Sequence, residues 1–296
     1  MTAMRIADIY QSGRFGLSIE IFPPKTPEGD ALLWENLDRL KRFRPDFVSC
    51  TYGAGGSTRT RTVELCTEIQ SRFGIAATAH FTCLGGTPAE LRDWLAYAER
   101  AGVANIMALR GDPPAGQTEF REVPGGLRHA TELVRLIRSE FPSFGIGVAG
   151  YPERHPQAPS LAKDIEHLAE KVAAGADAVF TQLFFVNDHY FRFVDLCRRA
   201  GIHIPIIPGI MPITNYAQIR RITTLCGSEL PADLAGRLER AQTDKEAQLR
   251  IGVEFAIEQC RALRDAGVPG IHFYALNRSQ ACELILDGLS YAPPAQ

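Results

Sequence analysis

The chain has 296 residues, and a hydrophobic content of 45% is ample for one large α/β domain or two ordinary domains. A formal net charge of -2 and an isoelectric point near 6.4 argue against nucleic acid or an anionic membrane as the main partner. No secretory signal is visible in MTAMRIADIY, and the apolar segment IPIIPGIMPI is too short and proline-rich to span a bilayer. We therefore expect a soluble cytoplasmic protein.

The seven cysteines form no CxxC pair, and their number is odd. A disulfide framework or a structural zinc site is therefore not expected. Most of the cysteines are predicted to be small core residues, which suits a reducing cytoplasm.

Short runs rich in β-branched residues alternate along the chain with longer segments of helical period. The predicted strands cover residues 15–22, 46–52, 75–83, 104–110, 144–150, 176–185, 204–210 and 270–276. Because crossover connections force parallel pairing, eight such repeats favour a closed α/β fold, a (β/α)8 TIM barrel formed by the whole chain, residues 1–296. Additional helix is predicted from Leu230 to Ala266, before the last strand.

A doubly wound open sheet is the alternative fold. Such sheets that bind dinucleotides carry GxGxxG between a strand and a helix. GAGGST, residues 53–58, comes nearest to that motif but lacks its spacing. The sequence therefore favours the barrel.

Two helices have clear end signals. Thr87 is a good N-cap, Pro88 suits the first helical position, and Glu90 completes a capping box, with Gly102 as the stop signal. A second helix is predicted over residues 161–172, where apolar side chains recur at helical spacing.

Glu20 is a carboxylate inside the apolar run GLSIEIFPPK, and burying it is costly unless it is satisfied or used. Strand alternation puts Leu17, Ile19 and Ile21 on the face toward the outer helices, so Ser18 and Glu20 point into the barrel. Desolvation there is expected to raise the pKa of Glu20, which suits a proton donor near neutral pH.

The alternative role for Glu20 is structural, as the partner of a basic neighbour such as Lys25 or Arg110. The position of Glu20 favours a catalytic role over a structural one, because the active sites of barrel enzymes lie at the carboxyl ends of the strands. The polar residues predicted at that rim are Glu20, Thr51, Tyr52, His80, Arg110, Asp112, Tyr151, Glu153, His155, Gln182, Asn277 and Arg278.

His80 shares its predicted strand face with Thr78, so it also points into the barrel. No second histidine or carboxylate stands at ligand spacing, so no metal site is predicted. Cys83 follows three residues later, but that spacing does not establish a Cys–His nucleophile pair.

Asp164, His167 and Lys171 lie at positions i, i+3 and i+7 of the predicted helix over residues 161–172. Such a stripe is usually a solvated face. It could instead line a groove for a long polar ligand, together with Tyr151 and His155. Periodicity leaves both readings open.

Eight segments of the chain, spread from about residue 15 to residue 280, resemble in order the motifs of bacterial methylenetetrahydrofolate reductases. These segments are SIEIFPPK, FVSCTYGAGGSTRTRT, AHFTC, ALRGDPP, YPERHPQA, TQLFF, PGIMPITNYAQI and HFYALNRS. The resemblance implies a (β/α)8 barrel that binds FAD and oxidises NADH or NADPH. The hydride would then pass through the flavin to 5,10-methylenetetrahydrofolate, giving 5-methyltetrahydrofolate in a ping-pong sequence.

The resemblance also implies roles for individual residues. Glu20 matches the family's general acid, and Asp112 the carboxylate that lies by the flavin and holds the pterin. Gln182, Gln218 and Arg278 match substrate-contacting positions. The positions matching FAD contacts are Thr51, Tyr52, His80, Arg110, Gly111, Asp112, Tyr151, His155, Ala158, Asp164, His167 and Lys171. A homo-oligomer is expected by the same resemblance.

Four positions depart from the family pattern. Leu127 and His129 stand where relatives often carry an aromatic pair, Glu170 where some members are basic, and Ile222 where some place a stacking phenylalanine. Two other functions stay open at this point. One is a flavin-independent methylenetetrahydrofolate reductase, and the other is a folate-binding barrel without redox activity.

Overall fold

The computed structural model describes residues 4–11, 13–53, 58–111 and 123–293. Its strands are β1 Gly16–Ile21, β2 Phe47–Cys50, β3 Ala76–Thr82, β4 Asn105–Leu109, β5 Gly145–Gly150, β6 Ala178–Thr181, β7 Ile206–Ile207, β8 Gly209–Ile210 and β9 Gly270–Tyr274. All pairings are parallel, in the spatial order β7-β6-β5-β4-β3-β2-β1-β9-β8.

The helices of the described residues surround this sheet. They are α1 Ile6–Gln11, α2 Pro27–Leu40, α3 Arg59–Phe73, α4 Pro88–Arg100, α5 Ala130–Glu140, α6 Leu161–Ala173, α7 Asn187–Arg199, α8 Tyr216–Cys226, α9 Ala232–Arg240, α10 Lys245–Asp265 and α11 Gln280–Gly288. None of them combines the length and the apolar character that a membrane-crossing helix needs. The predicted α/β barrel and the extra helices before the last strand, α9 and α10, are confirmed.

The sheet closes through the segment predicted as the seventh strand, which the structure divides into β7 and β8. Pro208, between them, has no N–H to donate, but its carbonyl accepts a hydrogen bond from the His272 N–H at 3.0 Å. The Gly209 N–H donates instead to the Thr181 hydroxyl at 2.9 Å. Because β7 pairs with β6 and β8 pairs with β9, the two edges of the sheet meet.

The sixth strand is shorter than predicted, since β6 ends at Thr181 rather than at residue 185. The side-chain oxygen of Gln182 accepts a hydrogen bond from the Leu183 N–H at 2.9 Å. Such local side-chain-to-backbone bonds compete with strand pairing. Phe184 and Phe185 are then buried outside the sheet.

Strand alternation in β1 follows the prediction. Leu17, Ile19 and Ile21 are buried in the cluster that the sheet forms with the outer helices. Ser18 and Glu20 face the barrel interior, where both approach the ring of His272. The predicted capping box of α4 is also present, because Thr87 and Glu90 exchange side-chain-to-backbone hydrogen bonds.

The short helix α1, which the sequence reading did not predict, covers the amino-terminal end of the barrel. Asn105 holds it there: its side-chain oxygen accepts from the Ile6 N–H at 2.7 Å, and its amide donates to the Met4 carbonyl at 3.0 Å. The apolar floor consists of Ile6, Ile9, Tyr10, Phe47, Met107, Ala178, Phe180 and Ile207.

We predict that Gly209→Ala destabilises the barrel. A Cβ at this position would collide with the backbone oxygen of Thr181 and lie 2.7 Å from the ring of Tyr274. Overpacking of this kind costs on the order of 2–3 kcal/mol in the free energy of unfolding. Chemical denaturation measures the change.

Gly236→Ala in helix α9 is the matched control. The nearest atom to its added Cβ is the flexible end of Arg240, 3.4 Å away. Alanine in a helix interior is favoured over glycine by roughly 0.5–1 kcal/mol, so this variant should be more stable than wild type. Equal changes in unfolding free energy for the two variants would contradict the conclusion that the barrel closes through the segment around Gly209.

Candidate active site

A cavity of about 970 Å³ opens at the carboxyl ends of the strands. Eleven residues that the resemblance matched to FAD contacts line it: Thr51, Tyr52, His80, Arg110, Gly111, Tyr151, His155, Ala158, Asp164, His167 and Lys171. They come from segments far apart in the sequence and gather because the strand ends share one rim. The twelfth, Asp112, lies outside the described residues.

Glu20 is not itself a lining residue, but it contacts His80, which lines the cavity. The His80 Nε2 is 3.2 Å from the Glu20 Oε2, and the His272 Nε2 is 3.5 Å from the same oxygen. The side chains of Glu20, His80 and His272 are 17%, 9% and 1% exposed. Among the described ion pairs, Glu20 pairs with neither Lys25 nor Arg110. Its neighbours are two imidazoles instead of the basic side chain that the sequence suggested as a partner.

The predicted direction of the Glu20 pKa shift is wrong. Burial, the largest single effect, raises the pKa, but the charges of His80 and His272 and their polar contacts with the carboxylate together outweigh it and lower the pKa to about 2. Glu20 is therefore ionised near neutral pH. If both imidazoles were neutral, their charges would no longer stabilise the Glu20 carboxylate. Burial would then act to raise the pKa of Glu20.

The contact between His80 and Glu20 is close without being a formed hydrogen bond. The His80 Nε2 is buried and has no partner of hydrogen-bond geometry within the described part of the chain. A buried polar atom in that state is costly, and it faces a cavity. A ligand in the cavity could satisfy it.

His272 is held on its other side by Ser18. The Ser18 Oγ and the His272 Nδ1 lie 2.8 Å apart, and both side chains are buried. Sequence reasoning missed His272, because it identified Asn277 and Arg278 as the rim residues after this strand. The alternation in GIHFYAL, which puts His272 and Tyr274 on one face, could have found it.

The predicted polar stripe of α6 lines the cavity, with His167 half exposed. Lys171 donates to the Ala149 carbonyl at 2.6 Å, and Asp164 accepts from the His155 N–H at 2.7 Å. His167 is 3.7 Å from the carboxylate of Glu170, a further lining residue. The geometry therefore supports the interpretation in which these three residues line a groove for a polar ligand.

Lys171 is a cation in the cavity wall with no ion-pair partner among the described residues. Burial lowers its pKa to about 8, although Asp164 acts in the other direction. A buried ammonium without a carboxylate partner favours an anionic ligand. Arg110 and Arg135 add cationic character to the same wall, and Arg135 was not anticipated from the sequence.

Other predicted rim residues lie outside the cavity lining. Gln182 bonds to its own backbone neighbour, while Gln218 and Arg278 are exposed. Asn277 makes two hydrogen bonds to the backbone of Phe22, at 2.9 and 2.8 Å, and so ties the end of β9 to the end of β1.

Glu153 has a structural place. It accepts a hydrogen bond from the Glu229 N–H at 2.7 Å, and the Glu229 carboxylate is 2.9 Å from the His189 Nε2. One oxygen or nitrogen from each of the three lies within 4.8 Å of the others, a spacing that a metal ion could use. The hydrogen bonds already connect the loop after β5 to α7 and to the loop after α8.

Comparison with known proteins agrees with this geometry. The family model for methylenetetrahydrofolate reductase matches residues 5–290. The chain belongs to the methylenetetrahydrofolate reductase family. It is 38% identical over 281 residues to 5,10-methylenetetrahydrofolate reductase of Escherichia coli K12, covering 95% of this chain and 93% of that relative.

A plant relative is longer. The chain is 40% identical over 295 residues to methylenetetrahydrofolate reductase (NADH) 1 of Arabidopsis thaliana, which covers 96% of this chain and 50% of the plant protein. The chain thus spans about half the length of the plant relatives it matches.

One solved structure shares the fold. It is an uncharacterized protein from Clostridium thermocellum that binds two copies of 5-methyl-5,6,7,8-tetrahydrofolic acid, with a TM-score of 0.62 and 16% identity. The superposition covers 95% of this chain and 96% of that one. At this identity the likeness speaks for the fold alone.

We predict that Lys171→Met changes how stability depends on pH. Between pH 8 and 10.5, the unfolded chain binds a proton at residue 171 that the folded chain has already released. The unfolding free energy of the wild type, relative to the variant, should therefore rise with pH across this window. We expect a rise on the order of 2 kcal/mol after allowance for solvent screening, measured by urea denaturation at several pH values.

Lys163→Met, on the same helix, is the control. Lys163 is exposed and paired with Glu166 at 2.7 Å, so the variant should follow the wild-type pH dependence through this window. Parallel curves for wild type and Lys171→Met would show that Lys171 is solvated rather than buried in the cavity wall.

Proposed function

We propose that the protein is a flavin-dependent methylenetetrahydrofolate reductase. FAD would occupy the cavity and accept a hydride from NADH or NADPH, and 5,10-methylenetetrahydrofolate would then be reduced to 5-methyltetrahydrofolate. The observation that carries the proposal is the convergence of eleven resemblance-matched residues on one cavity, one of which, His80, contacts Glu20.

The donor set of the cavity suits FAD. Lys171 and Arg110 supply positive charge for a diphosphate, and the buried His80 Nε2 has no protein partner of hydrogen-bond geometry among the described residues. Gly111, a lining residue at φ 99°, has a backbone conformation that favours glycine, and a Cβ there would lie 3.0 Å from the Thr82 side chain. When bound, FAD supplies a hydride acceptor and donor that links the two half-reactions.

Glu20 would act on the folate. Reduction of the methylene bridge requires one carbon–nitrogen bond of the five-membered ring to open, which leaves an iminium carbon that accepts hydride. Opening is easier when the departing nitrogen is protonated, and a carboxylic acid at the barrel mouth can supply that proton. Such a role needs Glu20 protonated in the substrate complex.

The structure suggests how that protonation arises. Glu20 is ionised because of its two imidazole neighbours. A ligand that displaces water and engages His80 would weaken this stabilisation and leave burial dominant, which raises the pKa of Glu20. His80 and His272 are also the nearest groups able to pass a proton to it.

The remaining assignments rest on the resemblance. We propose that Asp112 lies beside the flavin and holds the pterin, and that Gln182, Gln218 and Arg278 contact the substrates. The plant relatives are named as NADH enzymes, so NADH is the donor to test first. We further propose that the protein works in the cytoplasm as a homo-oligomer, which analytical ultracentrifugation of the purified protein tests.

We predict that Glu20→Gln separates the two half-reactions. Flavin reduction by NADH should stay within about twofold of wild type, because it needs no proton from Glu20. Reduction of methylenetetrahydrofolate should fall by roughly 10²–10⁴, the usual contribution of a general acid. Anaerobic stopped-flow absorbance follows both steps separately.

Glu153→Gln is the control carboxylate at the same rim, and we expect both half-reactions to persist in it. An equal loss of both steps in Glu20→Gln would indicate a structural role instead. Purified wild type should be yellow and bleach with NADH. Colourless protein that still reduces the folate would support a flavin-independent reductase, and absence of any reduction would support a folate-binding barrel.

A further inference from the structure

Asn277 follows β9 in a turn that few residue types adopt without strain. The Arg278 N–H donates to the Ala275 carbonyl at 2.9 Å and closes this turn. Its two central residues, Leu276 and Asn277, have left-handed backbone, with φ 49° and 57°. Asparagine tolerates this conformation better than most residues, but glycine adopts it at no steric cost. Because the backbone alone would favour glycine at position 277, the side chain of Asn277 needs its own explanation.

That side chain makes two complementary hydrogen bonds to one residue at the end of β1. Its oxygen accepts from the Phe22 N–H at 2.9 Å, and its amide donates to the Phe22 carbonyl at 2.8 Å. Asn277 is only 9% exposed, so both bonds are largely shielded from water. We refer to this pair of bonds as the Asn277 clamp.

The clamp continues the pairing of β1 with β9 beyond the point where the two backbones separate. The Glu20 carbonyl accepts from the Ala275 N–H at 3.2 Å, the last backbone bond between these strands in the described residues. In a continued parallel ladder, the Phe22 N–H would next donate to the Ala275 carbonyl. That carbonyl is already the acceptor for Arg278, so the side chain of Asn277 serves Phe22 in its place.

Phe22 depends on this clamp, because its other restraints are weak. Its ring is 40% exposed, and the two residues that follow, Pro23 and Pro24, have no N–H to donate. One residue earlier, the Ile21 carbonyl accepts from the Thr51 N–H of the β2 side at 2.9 Å. The end of β1 is thus held from one side by the segment after β2 and from the other side by Asn277.

Glu20 lies two residues before the clamp. Its carboxylate is 3.2 Å from the His80 Nε2 and 3.5 Å from the His272 Nε2, so a small displacement of β1 would lengthen both contacts. Strand ends open locally when their terminal pairing is lost. Without the clamp, such opening would reach Glu20, whose carbonyl makes the next bond to β9.

We propose that Asn277 is a positioning residue that clamps the end of β1 and so holds the Glu20 carboxylate beside His80 and His272. The inference rests on the proposed function, in which Glu20 is the general acid. Asn277 acts through the backbone of Phe22 and does not touch the carboxylate. The same turn carries Arg278, the proposed substrate contact, so the acid and this contact are positioned by one short segment.

Asn277→Gly tests the proposal in the full-length protein, because glycine suits the left-handed turn and removes both bonds of the clamp. Infrared spectroscopy with carbon-13-labelled glutamate follows the titration of Glu20, whose band is assigned by its loss in Glu20→Gln. Weaker contacts with the imidazoles should lower the acid dissociation constant of Glu20 by roughly tenfold or more. The titratable groups that face Glu20 stay the same in this variant: His80 on β3, His272 and Tyr274 on β9, and Cys50 on β2.

The kinetic effect of Asn277→Gly should be confined to the folate. Misplacement of a general acid slows the step that needs its proton, so we expect the folate half-reaction to fall by roughly 10- to 100-fold. Flavin reduction by NADH should stay unchanged, because it needs no proton from Glu20. Anaerobic stopped-flow absorbance measures both steps.

Asn105→Ala is the matched control. The Asn105 side chain makes the same two-bond pattern at the opposite end of the barrel, with the Ile6 N–H at 2.7 Å and the Met4 carbonyl at 3.0 Å. This variant should leave the Glu20 titration as in wild type, whatever it does to stability. Equal shifts in both variants would indicate a general loosening of the barrel and would overturn the proposal, as would an unchanged titration in folded Asn277→Gly.

Hydrogen exchange of the wild-type protein decides the matter if Asn277→Gly fails to fold. The Phe22 N–H lies outside β1, but the clamp should make its exchange as slow as that of the Ile21 N–H within the strand. Fast exchange at Phe22 would show that the clamp is not formed in solution and would overturn the proposal.

Neither the infrared nor the exchange measurement needs turnover, so both separate this inference from the proposed function. A shifted Glu20 titration in Asn277→Gly, together with a wild type that never reduces the folate, supports the positioning role and contradicts the reductase. A wild type that reduces the folate, together with an unshifted titration in Asn277→Gly, supports the reductase and contradicts the positioning role.

Discussion

Barrel closure is the constraint on which the candidate site depends. Glu20 and His272 are 252 residues apart in the sequence, and they meet because β9 pairs with β1 in the register Glu20↔Tyr274. That pairing exists within a closed sheet, whose last gap is bridged by the interrupted segment around Pro208. The break in this segment lets one short stretch of chain pair with the sheet edges on both sides.

Barrel closure places two different electrostatic environments at the same end of the barrel, where the strands have their carboxyl ends. On the inner side, the Glu20 carboxylate lies within 3.5 Å of two imidazoles, those of His80 and His272. On the outer side, the α6 face offers Lys171, a buried cation whose hydrogen bond goes to a backbone carbonyl. The first environment suits proton transfer and the second suits anion binding. A reductase with a diphosphate-containing cofactor requires both.

Much of this arrangement could be predicted from the sequence, because it follows from periodicity. The alternation in GLSIEIF identified Glu20 as inward-facing, and helical spacing put Asp164, His167 and Lys171 on one face. The protonation state of Glu20 could not be predicted in the same way. Its pKa depends on His80 and His272, and their proximity to Glu20 is a property of the closed barrel rather than of any local pattern.

Two smaller errors have local causes. Helix α1 has only six residues, and although Ile6, Ile9 and Tyr10 have helical spacing, the run is too short for periodicity to stand out. The division of the seventh strand follows from Pro208, which cannot donate to a ladder. Both features matter for function, since one forms the barrel floor and the other closes its wall.

Two imidazoles, those of His80 and His272, hold Glu20 ionised. Infrared difference spectroscopy with carbon-13-labelled glutamate, comparing wild type with Glu20→Gln, observes this carboxyl group directly. We expect a carboxylate band that persists as the pH falls below 4.5, the ordinary pKa of a glutamate. A protonated carboxyl band near neutral pH, in protein without ligand, would contradict it.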